Sequence, residues 1–397
     1  MENSNQEWSR KKFIKVLGGA GAFALINPLL SWTQYDEIDP RVASIVAKTI
    51  GIDTHNHIDV PLNSDEFPGP NVDLKGEMKK SGLSAITMTF AVDYQKLENP
   101  GDAYNRFLTG LDAMDAILKH NGIKRSLNFS DLKKSHDRHL STVIQSVEGG
   151  HFLEGKLDRL QIAYERGLRQ LGLLHDNDAS VPLGDVYTNQ PQWGGLTSFG
   201  SDIIKECNKL GILIDLAHAD NETINAALKV STQPVLISHT GLDTQRGNNE
   251  FMAKMMRPRL ISKEQAKIVA DSGGVIGVWT HLADTPLDYA KNIRALVDII
   301  GVGHVGIGTD TKLTPAYRSS NDSWSKSENQ NNKEKKDAGV EKKQERVGER
   351  TNFSWKDQKE GFYYAVVGAL LKTGFTEDEI GKIGGGNFCR IFDEATK

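Results

Sequence analysis

The chain has 397 residues, of which 38% are hydrophobic and 25% are charged, a composition typical of a soluble globular protein with enough material for a large core. Its net charge of −4 is small for this length and no basic stripe alternates with aromatic residues, which argues against nucleic acid as a partner. Cys207 and Cys389 form neither a CxxC pair nor a disulfide framework. We expect both to be packed thiols in helices.

Residues 1–35 are predicted to form an export signal and linker. The stretch SRKKFIK at 9–15 supplies a basic region, and the apolar run VLGGAGAFALINPLLS after it is too short for a comfortable membrane span. The basic stretch resembles a twin-arginine signal, but Lys11 stands where the second arginine normally is, so the Sec route remains the alternative. We expect a periplasmic or extracellular protein, with membrane association only through an uncleaved N-terminus.

The segment IGIDTHNHIDVP, residues 50–61, is predicted to be a short strand that runs into a loop. Side chains on a strand repeat every two residues, and four potential ligands would therefore share one face: Asp53, His55, His57 and Asp59. Such a set is costly to bury without a cation. The segment therefore predicts a metal site, with a solvated polar turn as the alternative.

Seven further runs rich in Val, Ile and Leu follow, separated by stretches with helical periodicity. With the first run, the predicted strands are 50–57, 83–92, 142–149, 168–175, 211–218, 234–239, 274–280 and 304–310. Helices are predicted over 102–120, 157–167 and 197–211, the last ending at a glycine, as helices often do. Strands that alternate with helices and close at eight indicate an α/β fold, a (β/α)₈ TIM-type barrel over residues 45–397.

In such a barrel the functional side chains lie where the strands end, since the loops that follow build the site. Six of the eight predicted strands end in a residue that can bind a metal or move a proton: His55 and His57, Glu148, His175, His218, His239 and Asp310. One such histidine is more often structural than a ligand, but the recurrence across six strands points to a shared site. Histidine and carboxylate donors without thiolates favour two divalent ions, with zinc as the first choice.

Other histidines and acids are assigned less directly. His151 is interpreted as a loop residue rather than a ligand. Asp215 is left between two roles, a partner that orients a ligand histidine and a polar core group.

Residues 318–350 interrupt the barrel pattern. The segment is rich in Lys, Glu, Asn and Ser and poor in apolar residues, so it cannot bury enough surface to offset the entropy of ordering. We interpret it as a mobile surface insertion within the barrel domain. A single long helix with charge pairs four residues apart is the alternative.

The chain resembles the membrane (renal-type) dipeptidase family, peptidase family M19 of the amidohydrolase superfamily, over about residues 45–395. The resemblance is carried by IDTHNHIDVP, SVEGGHFLEG, GLRQLGLLH, GLTSFGSDIIKECNKLGILIDLAHAD, PVLISHTG, HVGIGTD and IGGGNFCRIF. It implies a metal-dependent dipeptidase that acts on a small-molecule dipeptide with a hydroxide held between two metal ions. A homodimer is compatible with it.

By position, the resemblance implies that His55 and His57 hold one zinc ion. It implies that Glu148 bridges the two ions and that His218 and His239 hold the second. The family usually shows D-x-H-x-D, whereas an imidazole stands here in place of the second carboxylate. A register slipped by two would instead pair His57 with Asp59, and both pairs remain open.

The resemblance also implies that His175 contacts the substrate and stabilises the developing oxyanion, and that Asp310 moves the proton. Arg259 best fits an arginine that binds the substrate carboxylate, with Arg257 as the neighbouring alternative. After the eighth strand the family commonly has D-F-D-G, where this chain has Asp310 followed by Thr-Lys-Leu. We therefore expect a substrate preference that differs from the better-known members.

Two other functions remain open. A related binuclear hydrolase acting on lactones, cyclic amides or N-acyl amino acids would use the same metals. A non-catalytic exported barrel could hold a metal or a peptide, although the complete ligand set together with Asp310 argues against it.

Overall fold

Eight parallel strands form a closed barrel in the computed structural model, which describes residues 38–94, 96–317, 319 and 348–397. They are β1 (Ile52–His57), β2 (Ala85–Thr89), β3 (Thr142–Glu148), β4 (Leu168–Gly172), β5 (Leu213–Asp215), β6 (Leu236–Thr240), β7 (Val275–Val278) and β8 (Val305–Ile307). Each pairs with the next, and β8 pairs with β1 where Asp53 lies opposite Ile307. All eight coincide with predicted runs, which confirms the (β/α)₈ barrel.

Two short strands extend the sheet, Lys124–Arg125 beside β3 and Thr311–Lys312 beside β1.

In the part of the chain that the structure describes, one helix precedes β1, and others lie between the strands along the chain and after β8. They are α1 (Pro40–Lys48), α2 (Leu74–Ser81), α3 (Asp102–Asn121), α4 (Phe129–Asp137), α5 (Arg159–Glu165), α6 (Ser198–Leu210), α7 (Asn221–Val230), α8 (Glu250–Met256), α9 (Lys263–Asp271), α10 (Pro286–Ile300), α11 (Phe362–Lys372), α12 (Glu377–Gly381) and α13 (Asn387–Ala395). The helices predicted over 102–120, 157–167 and 197–211 are α3, α5 and α6. Gly211 follows α6 with a φ of 82°, the left-handed conformation that a glycine at this position adopts readily.

The end of the barrel at which the strands begin is filled by the C-terminal helix. Every residue of the eight barrel strands is buried, and Phe388, Ile391 and Phe392 of α13 belong to one buried cluster with Ile52 and Leu236 from the strands. Full burial of a side chain of this size contributes about 1.5–3 kcal/mol. The polar residues gather at the opposite end, where the strands stop.

The predicted export signal, residues 1–35, lies outside the described residues, as does most of the predicted insertion at 318–350. Where the description resumes, Arg350 is buried and forms a parallel bridge with Lys312, beside the end of β1. Asp39–Lys397 form one compact unit. Among the helices of the described ranges, none is long and apolar enough to cross a membrane.

Candidate active site

Glu148, the last residue of β3, lies at the centre of a ring of imidazoles. The Nε2 atoms of five histidines lie within 3.8 Å of its carboxylate oxygens: His55, His57, His175, His218 and His239. The distances run from 3.0 Å for His218 to 3.8 Å for His239, and all six side chains are buried. The four predicted strand ends that carry histidines therefore place them together, around the carboxylate at the end of β3.

One potential ligand group lies on the β1 side. Nε2 of His57 is 3.2 Å from Nε2 of His55 and 3.2 Å from Oδ1 of Asp310, and the three residues can offer ligand atoms within 4.8 Å of one another. Asp310 could therefore serve as a metal ligand as well as a proton acceptor. Asp59 lies apart from this group, since its carboxylate accepts from the backbone N–H of Tyr317 and lies 3.6 Å from Nζ of Lys312.

The remaining ligand groups share Glu148. One joins it to His175 and His218, and the other joins it to His55 and His239. Nε2 of His218 and Nε2 of His239 are 3.0 Å apart, so the pair that the resemblance assigns to a second ion does converge. His175, which we expected to contact the substrate, is thus also close enough to Glu148 to bind the same ion.

The electrostatics of the cluster favour added positive charge. Burial opposes a charge on His55, but the carboxylates of Glu148, Asp310 and Asp215 together outweigh it and raise the pKa of His55 to about 9. Burial likewise opposes a charge on His218, but hydrogen bonds to Asp176 and Glu148 raise its pKa to about 10. Among the described residues, Oε2 of Glu148 is buried without a hydrogen-bond partner. Imidazole and carboxylate donors with an unsatisfied oxygen fit divalent cations such as zinc.

The two strands to which the sequence assigned no functional residue also contribute one each. Asp93 follows β2, and its Oδ1 lies 2.7 Å from Nδ1 of His175. His281 follows β7, and its Nε2 lies 2.8 Å from Oδ2 of Asp310. Each stands one residue past the predicted strand, beyond Val92 or Thr280, so extending the search for polar residues by one position would have found both.

Asp93 fixes the orientation of His175. Burial would raise the pKa of Asp93, but the hydrogen bond and charge of His175 outweigh it and lower that pKa. The ionised carboxylate accepts a hydrogen bond from Nδ1–H of His175, and Nε2 is directed toward Glu148. Asn177 also donates to Asp93, at 2.9 Å. His151 is buried beside this pair, 3.7 Å from Asp93, and is in none of the ligand groups of the described residues.

Two other acids support the site without joining it. Asp53 accepts from the backbone N–H and hydroxyl of Thr309, at 2.8 and 2.6 Å, and so ties β1 to the end of β8. Asp53 is therefore in none of the potential ligand groups of the described residues. Asp215 accepts from the backbone N–H of Ser238, whose hydroxyl lies 3.2 Å from Nδ1 of His55 and 2.9 Å from Nδ1 of His239. Asp215 is thus a polar core group that supports two of the histidines through Ser238.

Arg259 lies at the other side of the cluster, beside a cavity of about 310 Å³ that Tyr187 and His218 also line. Its Nη2 donates to Oδ2 of Asp176 at 2.8 Å, and Oδ1 of Asp176 lies 3.0 Å from Nδ1 of His218. Arg257, the alternative, is exposed and does not line this cavity.

Two of these residues have an unusual backbone. His218 and Asp310 adopt φ values of 68° and 54°, in the left-handed region that side chains with a Cβ seldom occupy. The side chain of His218 contacts Glu148 and that of Asp310 contacts His57 and His281. Both backbone conformations cost energy that the surrounding contacts must supply.

Comparison with known sequences gives one family. The model of the membrane dipeptidase family (peptidase family M19) matches residues 40–321. An uncharacterized protein in the pqqA 5′ region of Klebsiella pneumoniae is 25% identical over an alignment of 227 residues that covers 53% of this chain and 80% of that protein.

Solved structures share the barrel. An amidohydrolase from Pseudomonas aeruginosa has a TM-score of 0.67 and 22% identity, with coverage of 89% of this chain and 99% of that one. A metallopeptidase from Rhodobacter sphaeroides, liganded with a phosphinate mimic of the dipeptide L-Ala-D-Ala, has a TM-score of 0.61 and 18% identity, with coverage of 87% and 99%. At these identities the likeness establishes a common fold.

Proposed function

The chain belongs to the membrane dipeptidase family, peptidase family M19, and on this premise we propose that it hydrolyses the peptide bond of dipeptides with two divalent metal ions. Family membership by itself makes the chain a hydrolase of the dipeptidase type. The observation that carries the finer proposal is the position of Glu148. Oε1 of this buried carboxylate lies 3.2 Å from Nε2 of His55 and 3.0 Å from Nε2 of His218, and its Oε2 has no hydrogen-bond partner among the described residues.

We assign one ion to His55 and His57 and the other to His218 and His239, with Glu148 between them. When bound, the ions would supply a hydroxide from a shared water at neutral pH and would polarise the scissile carbonyl. Zinc is the first choice for this donor set.

The protein's own groups would complete the reaction. Burial opposes a charge on His175, but Glu148 and Asp93 raise its pKa. As an imidazolium held by Asp93 at Nδ1, His175 would donate from Nε2 to the carbonyl oxygen as negative charge develops on it. Asp310, which accepts a hydrogen bond from Nε2 of His281, would accept the proton of the attacking water and deliver it to the leaving amine.

Arg259 would anchor the C-terminal end of the substrate. It borders the 310 Å³ cavity next to His218, which has room for the C-terminal residue of a dipeptide. An anchor one residue beyond the scissile bond would limit the enzyme to short substrates.

Amine release by the full-length chain from a panel of L,L- and L,D-dipeptides tests this proposal. L-Ala-D-Ala belongs in the panel because the Rhodobacter sphaeroides metallopeptidase binds a mimic of it. We expect turnover that is lost after chelation and restored by zinc. A chain that binds about two ions and leaves every dipeptide intact would end the dipeptidase assignment, and lactones, cyclic amides and N-acyl amino acids would be tested next.

We also propose that the protein acts outside the cytoplasm, on the strength of the basic and apolar residues at 9–31. Fractionation of cells that express the full chain tests this. Recovery in the cytoplasmic fraction alone would contradict it.

A further inference from the structure

This inference rests on the proposed function and concerns the end group of the substrate. We propose that Asp176 determines specificity at the Arg259 anchor, because it satisfies the guanidinium from within the chain. The anchor then accepts a neutral C-terminal amide about as readily as a free carboxylate.

The position of Asp176 is fixed from two sides. It follows His175 in the loop after β4, and its Oδ2 accepts from Nη2 of Arg259 at 2.8 Å. Its Oδ1 lies 3.0 Å from Nδ1 of His218. Nη1 of Arg259 donates to the backbone oxygen of Met255 at 3.3 Å, so the guanidinium is held as well.

The charge of the anchor is therefore close to neutral before any substrate arrives. A free carboxylate that approaches Arg259 also approaches Asp176, and attraction and repulsion over similar distances largely offset each other. Arg259 is the one Lys or Arg among the residues that line the cavity, whereas Asp220 and Glu222 line it too. Apart from the two histidines of the lining that we assign to a metal ion, the charged side chains of the lining thus carry more negative than positive charge.

The pair suits an amide in its hydrogen bonding. A guanidinium only donates and a carboxylate only accepts, whereas a primary amide has one oxygen that accepts and an NH₂ group that donates. An amide could accept from Arg259 and donate to Asp176 at once, while a carboxylate could satisfy only the first. Amidated dipeptides, and amides of similar shape, are therefore the substrate class that this pair fits.

The test compares kcat/KM for an L,L-dipeptide and for the same dipeptide with a C-terminal amide, using the zinc-loaded full chain. Wild type should show a ratio between the two substrates within about tenfold. Asp176→Asn keeps the shape and an acceptor oxygen but removes the charge. It should shift the ratio toward the free dipeptide by about tenfold or more, mainly through a lower KM for that substrate, since like charges at a binding site are strongly unfavourable.

Asp178→Asn is the matched control. Asp178 lies two residues along the same loop and accepts from Gln192 at 3.2 Å, not from Arg259. Its replacement removes the same charge from the same region and should leave the ratio unchanged.

Three outcomes would overturn the inference. A wild-type preference for the free dipeptide above about a hundredfold that Asp176→Asn does not alter would leave the dipeptidase standing and remove this role of Asp176. An equal loss on both substrates would reduce Asp176 to a support for His218. If neither substrate is hydrolysed, the proposed function fails, and calorimetric binding of both compounds decides the inference: an unchanged Kd ratio in Asp176→Asn, or no binding, rejects it.

Discussion

His281 donates from Nε2 to Oδ2 of Asp310 at 2.8 Å, on the side of that carboxylate opposite His57. This contact fixes the side-chain rotamer of Asp310. We expect His281→Ala to lower kcat by about 10–100-fold, the usual effect of removing a partner that orients a site residue, with a smaller change in KM. His281→Gln, which keeps an N–H donor, should recover part of the loss, and equal defects in both variants would contradict a hydrogen-bonding role.

Asp93 should affect catalysis by orienting His175 rather than by contacting the substrate. We expect Asp93→Asn to lower kcat by about 10–100-fold, because the Nδ1 proton of His175 loses its ionised acceptor. Steady-state kinetics would measure this, with thermal unfolding as a check that the variant folds. A variant that folds and keeps wild-type kcat would exclude Asp93 from the mechanism.

Metal content distinguishes His57 from Asp59. His57 lies with His55 and Asp310, whereas Asp59 contacts Lys312 and the backbone of Tyr317. We expect His57→Ala to reduce zinc from about two ions per chain toward one, and Asp59→Ala to leave it near two. Elemental analysis after dialysis measures both, and the reverse pattern would favour the slipped register.

The two cysteines should be unreactive in the folded protein. Burial raises the pKa of Cys389 to about 12 and raises that of Cys207 as well, so almost no thiolate exists at pH 8. We expect neither to react with a thiol reagent under native conditions and both to react after unfolding. Rapid reaction of one thiol in the native state would show that its helix opens readily.

Phe392 should stabilise the closed end of the barrel. Phe392→Ala removes a fully buried ring from the cluster around α13 and should lower the free energy of unfolding by about 3–5 kcal/mol. The exposed Phe251 is the control, since its replacement by Ala should change stability by less than about 0.5 kcal/mol. Equal effects in denaturant titrations would contradict the packing argument.

The strands could be predicted from the sequence because each is a buried apolar run, and the strand ends then located most of the site. Alternation along β1 was a weaker guide, since Asp53 turns to Thr309 and Asn56 rather than toward the histidines' ligand groups. The contact between Asp176 and Arg259 could not be predicted, because it joins residues 83 positions apart through loop conformations that no local pattern specifies.

The left-handed backbone of His218 and Asp310 has an evolutionary consequence. A residue with a Cβ in this conformation costs about 1–2 kcal/mol that glycine would not incur. Selection for stability alone would therefore favour glycine at both positions. Selection for the site functions of the two side chains opposes that replacement. We expect relatives with glycine at these positions to keep the barrel but to have lost catalytic activity. Positions 218 and 310 would therefore identify inactive members of the family.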